Sequence, residues 1–297
     1  ILMKKVKFIY NPFSGENLIL TQLDKIIKLY QEKNLQIIPF RISLDTPLEK
    51  AFIDIDETYD HILAAGGDGT INQVVNLMKS NNLDLPLAVL PVGTANDFAK
   101  LIGATSDIEE NCKKILNSTP KPVDLGLVND KYFINVFSYG LFTDVSQKTP
   151  THLKNIFGKL AYYYSGIKEL PTFKSVNIEV ESEEMNYSGE ALIFFVFNGK
   201  TAGNINIAYN SEITDGLLDV IIVKPGSVVS TISSLLKFFK GEHLEESTNL
   251  IHFKTANLKV NCKDFSSNNI TTDIDGEPGP EFPLTITCLT NSLNLIF

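Results

Sequence analysis

Leu63-Ala64-Ala65-Gly66-Gly67-Asp68-Gly69-Thr70 passes from apolar residues into glycine, and Ile71-Asn72-Gln73-Val74-Val75-Asn76-Leu77-Met78 then resumes with Val74, Val75 and Met78 at helical spacing. The stretch reads as strand, tight loop and helix. Gly66, Gly67 and Gly69 let the backbone take positive φ and let another group come close to the main chain. Such a loop at a helix N-terminus aims unpaired N–H groups at one spot, which suits a phosphate. Asp68 is the unexpected member, because beside a polyphosphate its carboxylate needs a divalent cation or a hydroxyl proton in between. Taken alone, the string is equally a glycine turn with Asp68 capping the helix.

The flanking chain repeats the pattern. Lys5–Tyr10 is a short strand ending in the turn formers Asn11-Pro12-Phe13-Ser14-Gly15, and Leu18–Leu29 carries a helical apolar stripe. Strands are expected at Gln36–Ile42, His61–Ala65 and Pro86–Leu90, with a helix at Pro47–Phe52. Strands alternating with helices imply a mostly parallel sheet with right-handed crossovers, whose ligands gather at the carboxyl ends of its strands. Three of those ends carry unusual loops: Asn11 to Gly15, Gly66 to Thr70, and Pro91-Val92-Gly93-Thr94-Ala95-Asn96-Asp97-Phe98. The third alone could be a helix cap, with Thr94 or Asn96 as the capping residue. No GxxxxGK[ST], no GxGxxG opening a helix, and no HRD or DFG set occurs, which excludes P-loop, Rossmann dinucleotide and protein-kinase chemistry.

From about Asp124 the pattern changes to strands with few helices. Lys131–Phe137, Ser175–Val180, Ala191–Phe197, Leu217–Val223, Asn257–Val260 and Leu284–Thr287 read as strands, and Lys154–Leu170 and Ser227–Lys240 as helices. A β-sandwich-like second domain is expected, dividing the chain into 1–124 and 125–297, with the extreme C-terminus free to return to the first domain.

Hydrophobic residues at 43% and charged residues at 21% are the balance of a globular protein with a sizeable core, not of a disordered one. A net charge of −9 disfavours non-specific binding to nucleic acid or to an anionic membrane through overall charge, leaving such binding to a local basic patch. Cys112, Cys262 and Cys288 are scattered and lack a CxxC pair, and His61, His152, His243 and His252 have no metal-ligand spacing, so a reducing cytoplasm is expected and a zinc site is not. No apolar run is long enough to span a bilayer. Lys154–Lys168 mixes Lys154, Lys159 and Lys168 with Ile156, Phe157, Leu160, Tyr163 and Ile167; it reads either as a helix packed on the sandwich or as an interfacial helix facing anionic lipid.

These motifs together resemble the bacterial diacylglycerol kinase and YegS-like lipid kinase family, related to sphingosine kinases. Asn11-Pro12-Phe13-Ser14-Gly15 looks like its NPxSG loop, Gly66 to Thr70 its GGDGT, and Pro91 to Ala99 its PxGTxNDFA. Asp124-Leu125-Gly126, Asn198-Gly199, Asp215 to Val220 and Asp275-Gly276-Glu277-Pro278 match further signatures in order. The resemblance implies an α/β fold: a doubly wound parallel-sheet nucleotide domain, NAD kinase and phosphofructokinase-like, followed by the β-sandwich-like domain.

It also implies an activity, ATP-dependent phosphorylation of a lipid hydroxyl, with diacylglycerol first among the acceptors, on a cytoplasmic protein peripheral to the membrane. ATP would be held by Asn11, Pro12, Phe13, Ser14 and Gly15, by Gly66 through Asp68, Gly69, Thr70, Ile71, Asn72 and Gln73, and by Gly93, Thr94, Asn96 and Asp97. Asp68 would orient a catalytic Mg²⁺, and the Asp275-Gly276-Glu277 turn would accept the proton, with domain closure carrying it toward Asp68. A structural magnesium would use Asp215, the carbonyls of Glu212 and Leu217, and a water link to Asp124. The resemblance leaves room for a homodimer. Two departures stand out: Gln73 replaces the family's usual Glu, and Tyr209 to Thr214 keeps only part of the usual acidic metal segment. They favour one alternative, a non-catalytic lipid- or nucleotide-binding relative; the other, a soluble NAD kinase-like enzyme, is suggested by the GGDGT string, which NAD kinases share, and is opposed by Gly93 to Ala99 and Ile274 to Pro278.

Overall fold

The computed structural model describes residues 3–94, 96–140, 175–199, 201–202, 205–206, 212–227, 230, 233, 249–263 and 272–297. The helix expected at Lys154–Leu170, with its lysines, and most of the one at Ser227–Lys240 lie outside the described residues. Two compact units emerge: Ile1–Val123 with Asn291–Phe297, and Asp124–Thr290.

The first unit is built from β1 (Lys4–Tyr10), α1 (Leu18–Glu32), β2 (Leu35–Arg41), β3 (Tyr59–Gly66), α2 (Asp68–Ser80), β4 (Leu87–Pro91), α3 (Asp97–Leu101) and α4 (Ile108–Leu116). Strands β1 to β4 are parallel in the order β2-β1-β3-β4. Nearly every residue of β1, β3 and β4 is buried, as a parallel sheet covered on both faces requires. Val6, Phe8, Leu63, Ala65, Ala88 and Leu90 form one core with Ile19, Ile26 and Tyr30 of α1 and Ile108, Cys112 and Ile115 of α4. α4 starts at Asp107, whose carboxylate accepts the N–H groups of Glu109 and Glu110.

The second unit opens on β5 (Pro120–Val128), followed by β6 (Lys131–Phe133), β7 (Val136–Gly140), β8 (Val176–Ser182), β9 (Asn186–Ala191), β10 (Ile193–Phe197), the short pair β11 (Thr201–Ala202) and β12 (Ile205–Asn206), β13 (Leu218–Val223), β14 (Leu250–Thr255), β15 (Asn257–Cys262), β16 (Thr272–Ile274), β17 (Glu277–Pro278) and β18 (Leu284–Ile296). One antiparallel sheet runs β14-β13-β10-β7-β16-β17. A second joins the start of β18 to β15, β8 and β9, with β5 and β6 beside it. Phe137, Phe194, Val196, Val220 and Ile222 of the first sheet and Ile178, Val180, Leu258, Val260 and Ile286 of the second share one core, which makes the unit a β-sandwich. At its far end β18 leaves this unit, and Leu295 and Ile296 pair in parallel with Leu87 and Ala88 of β4.

Several boundaries differ from the sequence reading. Helix α2 begins at Asp68, three residues earlier than its apolar pattern, because Gly67 is the extended N-cap and the first turn is polar. Leu48–Phe52 is a 3₁₀ helix. The apolar run Ala191–Phe197 breaks at Leu192, with β9 in one sheet and β10 in the other, a corner that an unbroken hydrophobic run does not announce. Lys131–Phe137 is two strands, parted at Ile134 and Asn135.

Candidate active site

In the order β2-β1-β3-β4 the chain reverses direction of build between β1 and β3, the switch point where open parallel sheets bind ligands. The loops after β1, β3 and β4 meet there. Asn11 donates its backbone N–H to Ala65 O (2.9 Å) and its side-chain amide to Thr70 Oγ1 (3.2 Å), and its Oδ1 accepts from Phe13 N–H (3.0 Å). Pro12 is buried behind this turn, and Ser14 precedes a short 3₁₀ turn without capping it. Gly15 sits at φ 54°, and a Cβ there would lie 2.1 Å from Val92 O, so glycine is required on both counts.

The second close approach is between the other two loops. A Cβ on Gly93 would fall 2.4 Å from Gly67 Cα and 2.8 Å from Asn96 Oδ1. Asn96, in the left-handed region at φ 54°, holds Gly93 by both main-chain groups, accepting from its N–H at 2.8 Å and donating to its O at 2.7 Å. Asn96 therefore occupies the N-cap position of α3 while its side chain closes the loop. Asp68 caps neither its own helix nor empty space: its Oδ1 accepts the N–H of Phe98 in the first turn of α3 (3.1 Å), tying α2 to α3. Asp97 is buried, Thr94 is exposed, Gly69 and Thr70 lie in the first turn of α2, and Ile71 and Asn72 are buried behind it. Gln73 is exposed on the same helix. The result is a cluster of three loops at the start of α2, packed main chain on main chain at Gly15 and Gly93, with Asp68 in the first turn of the helix. A helix N-terminus among such loops suits a polyphosphate, and a carboxylate beside it suits a divalent ion escorting it.

Sequence reasoning overlooked Arg41. It ends β2 opposite Tyr10, and its guanidinium lies 5.4 Å from the centre of the Phe13 ring, which is 64% exposed. A lone arginine after a strand carries no motif; only the parallel register brings it beside the first loop.

In the second unit, Asp275 and Gly276 are the two central residues of the β16–β17 hairpin, both at positive φ (50° and 92°), as a primed turn requires. The Asp275 carboxylate accepts three main-chain N–H groups, from Ile134 (2.7 Å), Asn135 (2.9 Å) and Val136 (2.9 Å). That grip falls where β6 and β7 part. Glu277 is exposed. Asp273, absent from the sequence reading, accepts the Gly276 N–H at 2.9 Å; burial, with Asp275 and Glu277 adding to it, pushes its carboxyl up to about 7. Asn135 Oδ1 and Asn198 Oδ1, both buried, accept no hydrogen bond among the described residues. Either oxygen is a ready acceptor for a water or a hydroxyl.

The residues implied for a structural magnesium also lie in this unit. Asp124 is buried; its N–H donates to Ile213 O (2.7 Å), and its Oδ2 accepts from Gly216 N–H (2.8 Å). Asp215 Oδ1 accepts from Leu217 N–H (3.0 Å), and Glu212 is exposed. The remaining oxygen, Asp215 Oδ2, accepts from Lys254 Nζ at 2.9 Å. Burial works against the Lys254 charge, but Asp215 and Asp219 outweigh it and hold the ammonium above its ordinary range. Among the described residues no group of three His, Cys, Asp or Glu side chains is arranged to hold a metal ion. This donor set, with an ammonium already on the carboxylate, does not fit a divalent cation.

Glycine loops gather at the switch point of a parallel sheet, in a chain that continues into a β-sandwich. Residues 5–128 match the diacylglycerol kinase catalytic domain, and residues 136–297 match the YegS C-terminal NAD kinase beta sandwich-like domain. The chain is 31% identical to a diacylglycerol kinase of Bacillus subtilis over 284 residues, covering 95% of this chain and 92% of that one. It is 33% identical to a diacylglycerol kinase of Staphylococcus aureus over 299 residues, covering 99% and 90%. A crystal structure assigned to a diacylglycerol kinase from Bacillus anthracis superposes with a TM-score of 0.80 at 26% identity, covering 99% of this chain and 95% of that one. The chain belongs to the diacylglycerol kinase family, and so to the lipid kinases.

Proposed function

We propose that this chain transfers the γ-phosphoryl group of ATP to a lipid hydroxyl, with diacylglycerol as the acceptor and phosphatidic acid as the product, in membrane phospholipid metabolism. The observation that carries the reading is the loop cluster at Gly15 and Gly93, where main chain approaches main chain too closely for any side chain. In-line phosphoryl transfer needs the donor phosphates positioned and their charge neutralised more than it needs covalent chemistry, and main-chain N–H groups at the start of α2 provide the positioning. Mg²⁺, when bound with ATP, neutralises the β- and γ-phosphates; Asp68 is the residue to hold it. Arg41 adds a fixed positive charge at the edge of the same sheet.

The acceptor hydroxyl must lose a proton, and the carboxyls of the β16–β17 hairpin are the groups to take it. The family pattern points to Asp275 and Glu277. Asp275 serves the hairpin through its three N–H partners, whereas exposed Glu277 has freedom to reach a substrate. Among the described residues no helix is long and apolar enough to cross a membrane. In this proposal the acceptor is met by peripheral binding at the membrane surface.

The test is a transfer assay with labelled ATP against mixed micelles of diacylglycerol, phosphatidylglycerol, a prenol or a sphingoid base, with NAD as the soluble control. Label in phosphatidic acid supports the proposal. Label in NADP, or no label in any acceptor beside an intact nucleotide-binding isotherm, replaces it with one of the two alternatives.

A further inference from the structure

The segment Glu212–Leu217 is fixed by main-chain and carboxylate hydrogen bonds. Asp124 grips it twice, from its own N–H to Ile213 O and from Gly216 N–H to its carboxylate, and Asp215 closes it on Leu217 N–H. What remains is the charge of Asp215 and of Asp219, the latter buried in β13. Lys254 lies directly opposite Asp219 in the β13–β14 ladder. Its Nζ is 2.9 Å from Asp215 Oδ2 and 3.6 Å from Asp219 Oδ2, and His252 Nε2 is 2.7 Å from Asp219 Oδ1.

We propose that the Lys254 ammonium is the structural cation of this segment, bridging Asp215 and Asp219 where related chains are expected to carry a divalent ion. Mg²⁺ demands near-octahedral oxygen donors at about 2.1 Å. Here one Asp215 oxygen is turned to a main-chain N–H and the other to an ammonium, and a divalent ion on that carboxylate would face the lysine charge at contact distance. A lysine supplied by the neighbouring strand is fixed by the β ladder itself, so it is delivered with the fold and is independent of the metal supply. Thr214, standing where the family usually has a second carboxylate before the glycine, agrees with it, since an ammonium needs fewer anionic partners than a divalent ion. The second unit's stability is therefore independent of Mg²⁺.

The inference does not depend on which lipid is phosphorylated, because its readout is unfolding of the full chain without nucleotide. Melting temperatures are measured in EDTA and across a MgCl₂ titration for the wild type, Lys254→Met and Lys254→Arg, each also in an Asp68→Ala background that removes any response from the first unit. The wild type should melt at one temperature throughout. Lys254→Met should melt lower by about 2–6 °C, with or without partial recovery in MgCl₂, while Lys254→Arg should stay near wild type and unresponsive to metal. A saturable rise of the wild-type melting temperature with MgCl₂ that persists in the Asp68→Ala background overturns the proposal, and so does a Lys254→Met protein as stable as wild type. If Lys254→Met does not fold, the wild-type and Lys254→Arg titrations decide alone.

Discussion

Gly93→Ala tests the loop cluster most directly, because the demand on it is steric and one-sided. The new Cβ would stand 2.4 Å from Gly67 Cα, 3.1 Å from Gly67 N and 2.8 Å from Asn96 Oδ1. Real carbon contacts begin near 3.4 Å, so the loops after β3 and β4 must separate by about 1 Å. The Asn96 bonds to Gly93 loosen with them. Overpacking of this size costs about 1–3 kcal/mol. A displacement of about 1 Å at phosphate-positioning N–H groups costs on the order of 100-fold in kcat/KM, or about 2.7 kcal/mol of transition-state stabilisation. Gly67→Ala is the stability control: its Cβ would meet Gly93 Cα at 3.4 Å and its φ is −87°, so its melting temperature should stay near wild type. Circular dichroism melts, calorimetric titration with Mg·ATP and steady-state kinetics of both variants make the comparison. A Gly93→Ala protein with wild-type melting temperature, nucleotide Kd and kcat/KM would refute the claim that the two loops need each other's closeness.

Three further outcomes are expected. Asp68→Ala should abolish transfer, and it should also cost about 1–2 kcal/mol of stability because Phe98 N–H loses its acceptor; a full-rate variant at saturating Mg²⁺ would remove Asp68 from the chemistry. Asp275→Asn should lower kcat and also destabilise the chain by about 2–4 kcal/mol, since a neutral amide cannot accept all three N–H groups at Ile134 to Val136, whereas Glu277→Gln should lower kcat by about two to four decades with no change in melting temperature. For Asp273, a carboxyl raised from 3.8 to about 7 on folding remains protonated in the native state while the unfolded chain has lost its proton. Its contribution to stability is therefore full below about pH 4 and is lost as pH rises through 7. Asp273→Asn should be more stable than wild type at pH 8, by about 2 kcal/mol after allowing for solvent at the hairpin, and level with it at pH 4; equal melting curves at both pH values would show that Asp273 is not held protonated.

The parallel sheet of the first unit was legible because local signals agree there. Apolar runs of strand length end in Asn-Pro-Phe-Ser-Gly, Gly-Gly-Asp-Gly-Thr or Val-Gly-Thr, and Gly15, Gly66 and Gly93 are needed at contacts that leave no room for a Cβ. Even α4, which no motif flagged, carried its signal in Asp107 followed by Glu110. In the sandwich the same reasoning found most strands but misplaced their ends. A buried run such as Ala191–Phe197 looks alike whether it stays in one sheet or turns a corner at Leu192, because both faces of the corner are apolar.

What only tertiary structure decided is which polar group serves which. Asp68 stood out in the sequence as a candidate, but its partner Phe98 is thirty residues on and reached through the β3–β4 register. Asp275 announced a turn; that its carboxylate is spent on the amides of Ile134 to Val136 depends on β16 pairing with β7. Lys254 has no motif at all, and it acquires a role only because antiparallel pairing sets it across from Asp219 and beside Asp215. Backbone conformation and burial are written locally, in spacing and in glycine, so the sequence alone determines them. The pairing of charges is set by register between distant strands, and register follows from the packing of the whole core.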